Sequence, residues 1–265
     1  MNTNIMTSNY HTHAEHCGHA EGTLKDYVEK ACSLGLSNLG FSEHAPFPGN
    51  PFGMRMDFNI LPSYVDELKS LRQEYSSKIQ LYIGLEIEYL DAYASYYPLL
   101  LSEYDIEYLI MGQHFFMGPD KKCYNLYDNS FPSSYLITHA QNMVAGMETG
   151  YFKYIAHPDL MFVRDYGMDS NCRKAISVLV DGCEKGHFTL ELNANGFRRG
   201  KQQYSDGLRF PYPVDIFWQE VSKTDIPVII GSDSHSPSII LDEHTDYAIE
   251  YAKKLGLNLI NSIKI

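Results

Sequence analysis

Short apolar runs alternate with longer amphipathic segments along almost the whole chain. The runs, which are rich in β-branched and aromatic residues, lie near residues 5–12, 38–43, 79–87, 106–113, 153–156, 187–193 and 226–232. Most of the segments between them place apolar residues at the three- and four-residue spacing of one helix face. This pattern predicts helices over residues 23–35, 62–75, 133–148, 171–185, 213–223 and 243–255.

Local signals support the first two of these helices. Thr23 is followed three positions later by Asp26, a spacing like that of a capping box, and Gly35 marks the expected end of the helix. Pro62 suits the first turn of the second helix, because the N–H groups of a first turn have no partner within the helix.

The alternation of strands and helices indicates an α/β fold with a parallel sheet, because parallel neighbours need crossover connections. An open doubly wound sheet is one alternative. We favour a closed or nearly closed barrel, since residues that follow many different strands of a barrel converge on one face. In an open sheet the outer strands end too far from the switch point to share a site. The prediction is a single barrel domain over residues 1–265.

Three long connections are predicted to be loops, over residues 45–61, 115–132 and 194–212. The first of them is rich in proline and glycine. Long loops at the catalytic face of a barrel usually contact the substrate, so these three segments are candidate walls of a binding site.

Two pairs of potential metal ligands have the same spacing near opposite ends of the chain. His11 and His13 end the first apolar run, and Asp233 and His235 follow the last one. Residues two apart on a strand point to the same face. Each pair can therefore reach one ion, and we expect both pairs at the same end of the barrel.

A carboxylate lies within the third apolar run. Glu86 occupies the string Gly84-Leu85-Glu86-Ile87-Glu88, where burying its charge without compensation would be costly. A metal ion supplies that compensation, and the two carboxylate oxygens can bridge two ions. Glu88 shares the face of Glu86, so the choice between them stays open, with Glu86 favoured.

Three further histidines end β-rich runs, and they are His44, His114 and His157. Together with the pairs above they predict a metal cluster at the carboxyl ends of the strands. Imidazole and carboxylate ligands without thiolates suit zinc, iron(II) or manganese. Adjacent ions can share a hydroxide made at neutral pH, so the sequence predicts a metal-dependent hydrolase.

Composition narrows the choice of partners and compartment. The net charge is −12, with 33 acidic and 21 basic residues and no basic stripe, which argues against nucleic acid as a partner. The sequence contains no run of 18 uninterrupted apolar residues, so it predicts no membrane-spanning helix. The N-terminus has no basic residue before an apolar stretch, so we expect a cytoplasmic protein.

Cysteine usage agrees with a reducing compartment. The five cysteines are odd in number and form no C-x-x-C pair, so free thiols are the simplest interpretation. Cys17 lies among the early histidines and is a minor candidate ligand, because the histidines already suffice.

The order of these motifs resembles the PHP (polymerase and histidinol phosphatase) superfamily over essentially the whole chain. The resemblance rests on His11-Thr-His13, Ser-Glu-His44, Gly-Leu-Glu86, Gly-Gln-His114, Ala-His157-Pro and Ser-Asp233-Ser-His235. Within the superfamily, the length and the strings Phe41-Ser-Glu-His-Ala-Pro and Glu191-Leu-Asn-Ala-Asn-Gly-Phe-Arg-Arg-Gly200 are similar to the monofunctional histidinol-phosphate phosphatases.

The resemblance implies a distorted (β/α)7 TIM-like barrel with a trinuclear centre of divalent zinc, iron or manganese. The first implied ion has His11, His13, Glu86 and Asp233 as ligands. The second shares Glu86 and adds His114 and His157. The third has His19, His44 and His235, with Glu15 and His16 left open in place of His19.

The implied reaction is hydrolysis of a small-molecule phosphate monoester, L-histidinol phosphate, in histidine biosynthesis. We expect in-line attack by a metal-bridging hydroxide, with Glu86, Asp233 and His235 as catalytic residues and Asp233 or a nearby histidine protonating the leaving group. The alternative is a sister enzyme that acts on a nucleotide or another small phosphate ester.

Arginines that follow strand ends are the candidate substrate-binding residues, because a planar guanidinium matches phosphate oxygens. The favoured candidates are Arg164 and Arg198, and Arg199 and Arg55 are further candidates. A cationic end of the substrate would be held by carboxylates or by aromatic residues within 115–131.

Overall fold

The computed structural model describes residues 6–128 and 131–265. The strands in these residues are β1 (Ser8–Asn9), β2 (Asn38–His44), β3 (Gln80–Ile87), β4 (Tyr108–Met111), β5 (Phe115–Met117), β6 (Cys123–Asn125), β7 (Phe152–Ile155), β8 (Leu190–Asn193), β9 (Gln202–Tyr204), β10 (Gly207–Arg209), β11 (Pro227–Gly231) and β12 (Asn258–Leu259). The α-helices are α1 (Leu24–Ser33), α2 (Leu61–Glu74), α3 (Tyr96–Glu103), α4 (Tyr135–Glu148), α5 (Ser170–Gly186), α6 (Ala194–Arg198), α7 (Asp215–Val221) and α8 (Glu243–Leu255).

In the described part of the chain, eight parallel strands form one curled sheet in the order β1-β2-β3-β4-β7-β8-β11-β12. The sheet curls until the segment after β1 meets the segment after β11. Thr12 and Ser234 form a parallel bridge there, and the His13 amide donates to the Ser234 carbonyl at 2.9 Å. This closure confirms the predicted distorted TIM-like barrel. The short strand β12 pairs with the first residues of β11, Pro227 and Val228.

The interior of the barrel is divided into an apolar half and a polar half. Tyr10, Tyr108 and Tyr154 fill the half near the amino ends of the strands, and Ile263 and Ile265 pack against them. A larger core lies between the sheet and the surrounding helices. Because one end is filled by these side chains, polar residues collect at the carboxyl ends of the strands.

The predicted helices are confirmed, with shifts of a few residues at their ends. Thr23 and Asp26 form the expected capping box at the start of α1, with the Asp26 amide donating to the Thr23 hydroxyl. Two predicted loops are wrong in part. Residues 115–132 contain the β5–β6 hairpin, and residues 194–212 contain α6 and the β9–β10 hairpin.

Helix α3 is absent from the prediction.

Within residues 6–128 and 131–265, no helix combines the length and the apolar character that crossing a bilayer requires.

Candidate metal centre

The two ligand pairs predicted from the ends of the chain meet around Glu86. His11 Nε2 and His13 Nε2 are 3.1 Å apart, and each lies 3.4–3.6 Å from Glu86 Oε2 and from Asp233 Oδ1. His11 and His13 continue β1, Glu86 lies on β3, and Asp233 follows β11. Asp233 has a φ of 48°, a conformation that is unusual for a residue with a side chain and that recurs at functional sites.

Three of these donor atoms, from His11, His13 and Glu86, lie close enough together to share one metal ion. Metal–ligand bonds of about 2.1 Å in a tetrahedron place neighbouring ligand atoms roughly 3.4 Å apart. Glu86 Oε2 is buried and makes no hydrogen bond within the described residues. It faces three imidazole nitrogens, because His44 Nδ1 also lies 2.9 Å from it. A buried carboxylate oxygen in such surroundings is what a cation site requires.

Glu86 also offers its second oxygen to a further pair of histidines. Oε1 lies 2.7 Å from His157 Nε2 and 3.6 Å from His114 Nε2. Gly112 makes room for this carboxylate, because a Cβ there would lie 1.9 Å from Oε1. Glu88 instead contacts Arg55 and the other ring nitrogen of His114. The geometry therefore favours Glu86 over Glu88 as the bridging carboxylate.

A third group of donors lies at the outer edge of the cluster. Ring nitrogens of His19, His44 and His235 come within 4.8 Å of one another, and His19 Nε2 is 3.1 Å from His235 Nε2. Glu15 is exposed, and His16 Nε2 lies 3.9 Å from a carboxylate oxygen of Glu67. The structure thus brings His19, rather than Glu15 or His16, to this group.

Cys17 lies close to the cluster but is held as a thiol. Its Sγ comes within 4.8 Å of ring nitrogens of His13 and His235. The thiol donates to the Ala14 carbonyl at 3.3 Å, and burial, reinforced by the nearby Glu43 charge, raises its pKa to about 12. The histidines and carboxylates form the cluster without it.

Two histidines of the cluster have a carboxylate behind them. His11 Nδ1 lies 2.8 Å from Glu191 Oε2, and His114 Nδ1 lies 3.0 Å from Glu88 Oε1. Such carboxylates fix the tautomer and orientation of metal-bound imidazoles. Their presence behind two rings is a second sign of a metal site.

Glu191 is a functional candidate that the sequence analysis missed. It is fully buried on β8, and Gly231 opposite leaves the space for its carboxylate, since a Cβ there would lie 2.2 Å from Oε2. Asn193 donates to its Oε1 at 2.6 Å. The signal was available in the string Leu190-Glu191-Leu192, a charge in an apolar run like that around Glu86.

Metal binding needs charged carboxylates and neutral imidazoles, and four groups of the cluster have these protonation states. Burial opposes ionisation of Glu86 and Asp233, but the surrounding imidazoles outweigh it and hold both pKa values well below their usual range. Burial lowers the pKa of His13 to about 3 and that of His44 well below its ordinary value. Two carboxylates and two imidazoles are therefore in the required form at neutral pH. At His11 and His157 the nearby carboxylates outweigh burial and raise the pKa, so a cation that binds there displaces a proton.

The cluster forms the floor of a cavity of about 510 Å³. Arg199 lies in its wall, where its Nε donates to the Tyr212 hydroxyl at 3.1 Å. The guanidinium lies 5.5 Å from the centre of the Tyr212 ring and 5.8 Å from that of Tyr127. Further wall residues are Gly53, Met54, Arg55, Phe115, Asn125, Leu160 and Asn195.

The two arginines favoured from the sequence do not line this cavity in the described structure. Arg198 donates to both carboxylate oxygens of Asp242 at 2.8 and 2.9 Å and to the Ser232 carbonyl at 2.6 Å. Arg164 is exposed outside the cavity. Arg199 lines the cavity and Arg198 does not, because adjacent residues at a helix end point in different directions and Arg198 turns toward α8.

Comparison with known families finds one matching model, which is described as the PHP domain and covers residues 9–195. A relative from Deinococcus radiodurans, named "Probable histidinol-phosphatase", is 27% identical over 86% of this chain and 85% of its own length. A Bacillus subtilis relative, named "Histidinol-phosphatase", is 26% identical over 85% of this chain and 92% of its own length.

A solved structure has the same fold. The crystal structure of histidinol phosphate phosphatase from Lactococcus lactis, described as a complex with zinc, L-histidinol and phosphate, aligns with a TM-score of 0.71. The alignment covers 98% of this chain and 99% of that chain at 17% sequence identity.

Proposed function

This chain belongs to the PHP domain family, and we propose that it is a metal-dependent phosphomonoesterase that hydrolyses L-histidinol phosphate to L-histidinol and phosphate. The observation that carries this proposal is the convergence of nitrogen and carboxylate donors from the ends of six strands at one cavity. Support for the substrate comes from the two relatives named as histidinol-phosphatases, each matched over most of its length. The proposal places the chain in histidine biosynthesis and in the cytoplasm.

The donor groups divide into three proposed ion sites. The inner site has His11, His13, Glu86 and Asp233, the second shares Glu86 and adds His114 and His157, and the outer site has His19, His44 and His235. Zinc, iron(II) and manganese all suit such ligands, and the Lactococcus lactis neighbour is described with zinc. When bound, the ions activate water at neutral pH and neutralise charge on phosphoryl oxygens.

Arg199 is the proposed phosphate-binding residue of the chain. Its guanidinium lines the cavity, and the rings of Tyr127 and Tyr212 limit where it can move. Among the ion pairs of the described residues, none joins Arg199 to a carboxylate, so its fork stays available for the oxygens of a phosphate. By contrast, the guanidinium of Arg198 is occupied by its ion pair with Asp242.

The leaving alcohol needs a proton, because an alkoxide is a poor leaving group. Asp233 and His235 both line the cavity, and His235 Nδ1 lies 3.4 Å from Asp233 Oδ1. We assign this proton transfer to His235, with the ionised Asp233 beside it as its carboxylate partner. The proposed catalytic role of Glu86 is to be shared by two ion sites, because each of its two carboxylate oxygens faces a different group of histidines.

The rest of the cavity suits the organic part of the substrate. Aromatic faces from Phe115, Tyr127 and Tyr212 line it, and such faces attract the cationic imidazole and amine of histidinol phosphate. We also propose that residues 1–265 act as a single domain, since strands of one sheet lie between Ser8 and Leu259.

A side-by-side rate comparison tests the substrate assignment. The metal-loaded protein is given L-histidinol phosphate, AMP and an aryl phosphate under the same conditions. We expect kcat/KM to be highest for L-histidinol phosphate by about tenfold or more, the discrimination that a few cavity contacts supply. Equal or faster turnover of AMP would transfer the proposal to a nucleotide phosphatase.

A further inference from the structure

Arg55 is buried against the outer carboxylate that contacts His114. Its side chain is 6% exposed and that of Glu88 is fully buried, and Arg55 Nη2 lies 2.5 Å from Glu88 Oε1. The same oxygen lies 3.0 Å from His114 Nδ1. Arg55, Glu88 and His114 therefore contact one another in that order. His114 Nε2 in turn faces Glu86, so these contacts connect the loop of residues 45–61 to the Glu86 carboxylate.

The guanidinium of Arg55 also joins two walls of the cavity. It lies 5.7 Å from the ring centre of Phe47, 5.5 Å from that of Phe52 and 5.6 Å from that of Phe115. The first two rings belong to the segment after β2, and Phe115 begins β5 directly after His114. Nε and Nη1 of Arg55 have no hydrogen-bond partner among the described residues, so Glu88 and these ring faces stabilise the charge.

We propose that Arg55 is a positioning residue, which holds the Glu88 carboxylate against His114 so that Nδ1 carries the ring proton and Nε2 faces the metal site. A neutral imidazole has one N–H, and a hydrogen bond at one nitrogen fixes which of the two is free to bind a metal. Removing the Arg55 side chain would leave the buried Glu88 charge without its counter-ion. It would also remove the contact between β5 and the part of the cavity wall formed by Gly53 and Met54.

This inference rests on the proposed metal role of His114 and is independent of which phosphate ester the enzyme hydrolyses. Arg55→Met removes the charge and keeps a long apolar side chain. Arg55→Lys keeps the charge but loses the planar fork and the stacking on aromatic rings. A matched control is Arg72→Met, because Arg72 forms a two-point ion pair with Glu107, outside the cavity lining.

The first test uses the full chain without substrate. Zinc affinity is measured by competition titration, and the His114 tautomer by ¹⁵N NMR of the metal-free protein. We expect Arg55→Met to weaken the affected zinc step by about 10–100-fold, the usual effect of losing an outer-shell partner. It should also reduce the Nδ1–H form of His114, with a smaller loss in Arg55→Lys and none in Arg72→Met. Unchanged zinc affinity and tautomer in Arg55→Met would overturn the proposal.

The second test asks whether Arg55 acts through Glu88. Residues that act through one another give non-additive effects in a double-mutant cycle. Arg55→Met should weaken zinc binding strongly in the wild-type background and by less than about threefold in a Glu88→Gln background. Additive losses would contradict the series Arg55–Glu88–His114. If Arg55→Met does not fold, Arg55→Lys and Glu88→Gln complete the same cycle.

Discussion

His11 Nδ1 lies 2.8 Å from Glu191 Oε2, although the two residues are 180 positions apart and both are fully buried. The contact joins the first strand of the barrel to β8 and leaves His11 Nε2 facing His13, Glu86 and Asp233. A carboxylate behind the ring directs the proton to Nδ1 and raises the basicity of the opposite nitrogen. We therefore expect Glu191 to prepare the proposed inner site for a cation, although it does not line the cavity itself.

Glu191→Gln should weaken metal binding at the inner site, because the amide keeps the size of the side chain and loses its charge. We expect a loss of about 10–100-fold in zinc affinity, measured by competition with a chelating dye. Glu107→Gln is the matched control, since Glu107 is a carboxylate paired with Arg72 outside the cavity lining. Equal zinc affinity in Glu191→Gln and wild type would remove Glu191 from the account.

Arg199→Ala should lower kcat/KM for phosphate monoesters. A hydrogen bond to a charged group contributes about 1.5–3 kcal/mol, which corresponds to roughly a 10–100-fold loss. The loss should also appear with a small aryl phosphate, because the contact is to the phosphate. Steady-state kinetics with both substrates checks this, and a loss confined to L-histidinol phosphate would place Arg199 near the organic part instead.

Arg198→Ala provides the contrast at the neighbouring position. It breaks a partly buried pair with Asp242 and frees the Ser232 carbonyl, so we expect a loss of about 3 kcal/mol in the free energy of unfolding. The kcat/KM of the folded enzyme should fall less than it does in Arg199→Ala. Urea denaturation and kinetics on one preparation separate the two effects, and the reverse ranking would restore Arg198 as the substrate-binding residue.

Asp242 should make the stability of the chain sensitive to acid. Burial alone would raise its pKa, but the hydrogen bonds and charge of Arg198 outweigh burial and hold the pKa well below its usual range. A carboxyl group of this kind contributes stability above its unfolded pKa of about 3.9, and the contribution is lost as the pH falls through the folded pKa.

The matching experiment compares wild type with Asp242→Asn, both metal-free, by urea denaturation at several pH values between about 7 and 3. The difference in the free energy of unfolding should be constant down to about pH 5 and shrink below about pH 4. A difference that grows on acidification would contradict the assigned sign.

Metal removal should lower the thermal stability of the chain. Ligands that bind only the folded state stabilise it by about 4 kcal/mol at a free concentration 1,000-fold above Kd. We expect a higher Tm with zinc than with a chelator in differential scanning fluorimetry, and a smaller gain in His157→Gln. His187→Asn is the control, because His187 has a φ of 54° at the end of α5, a conformation that asparagine accepts. Identical Tm values with zinc and chelator would argue against a metal centre.

Most of the barrel could be predicted from the sequence, because its signals are local. Apolar runs mark the strands, and the Thr23–Asp26 spacing marks the start of α1. His13 and Asp233 could be placed at one mouth because the carboxyl ends of parallel strands share a face. Helix α3 was missed because its apolar residues lack a clear periodic face.

The contacts behind the cluster depend on packing between distant segments, which one sequence does not display. Glu191 and His11 are separated by most of the barrel, and their contact depends on the space left at Gly231. The choice between Arg198 and Arg199 depends on the direction in which α6 ends and on the position of Asp242. Neither fact is visible in the spacing of residues along the chain.

The central claim is that these donors hold catalytic ions for phosphate ester hydrolysis. The most direct test is steady-state kinetics on L-histidinol phosphate with the metal content determined on the same sample. We predict about three ions per chain, and activity that is lost on chelation and restored by added metal. A metal-loaded protein that leaves L-histidinol phosphate intact, or full turnover by a metal-free one, would contradict it.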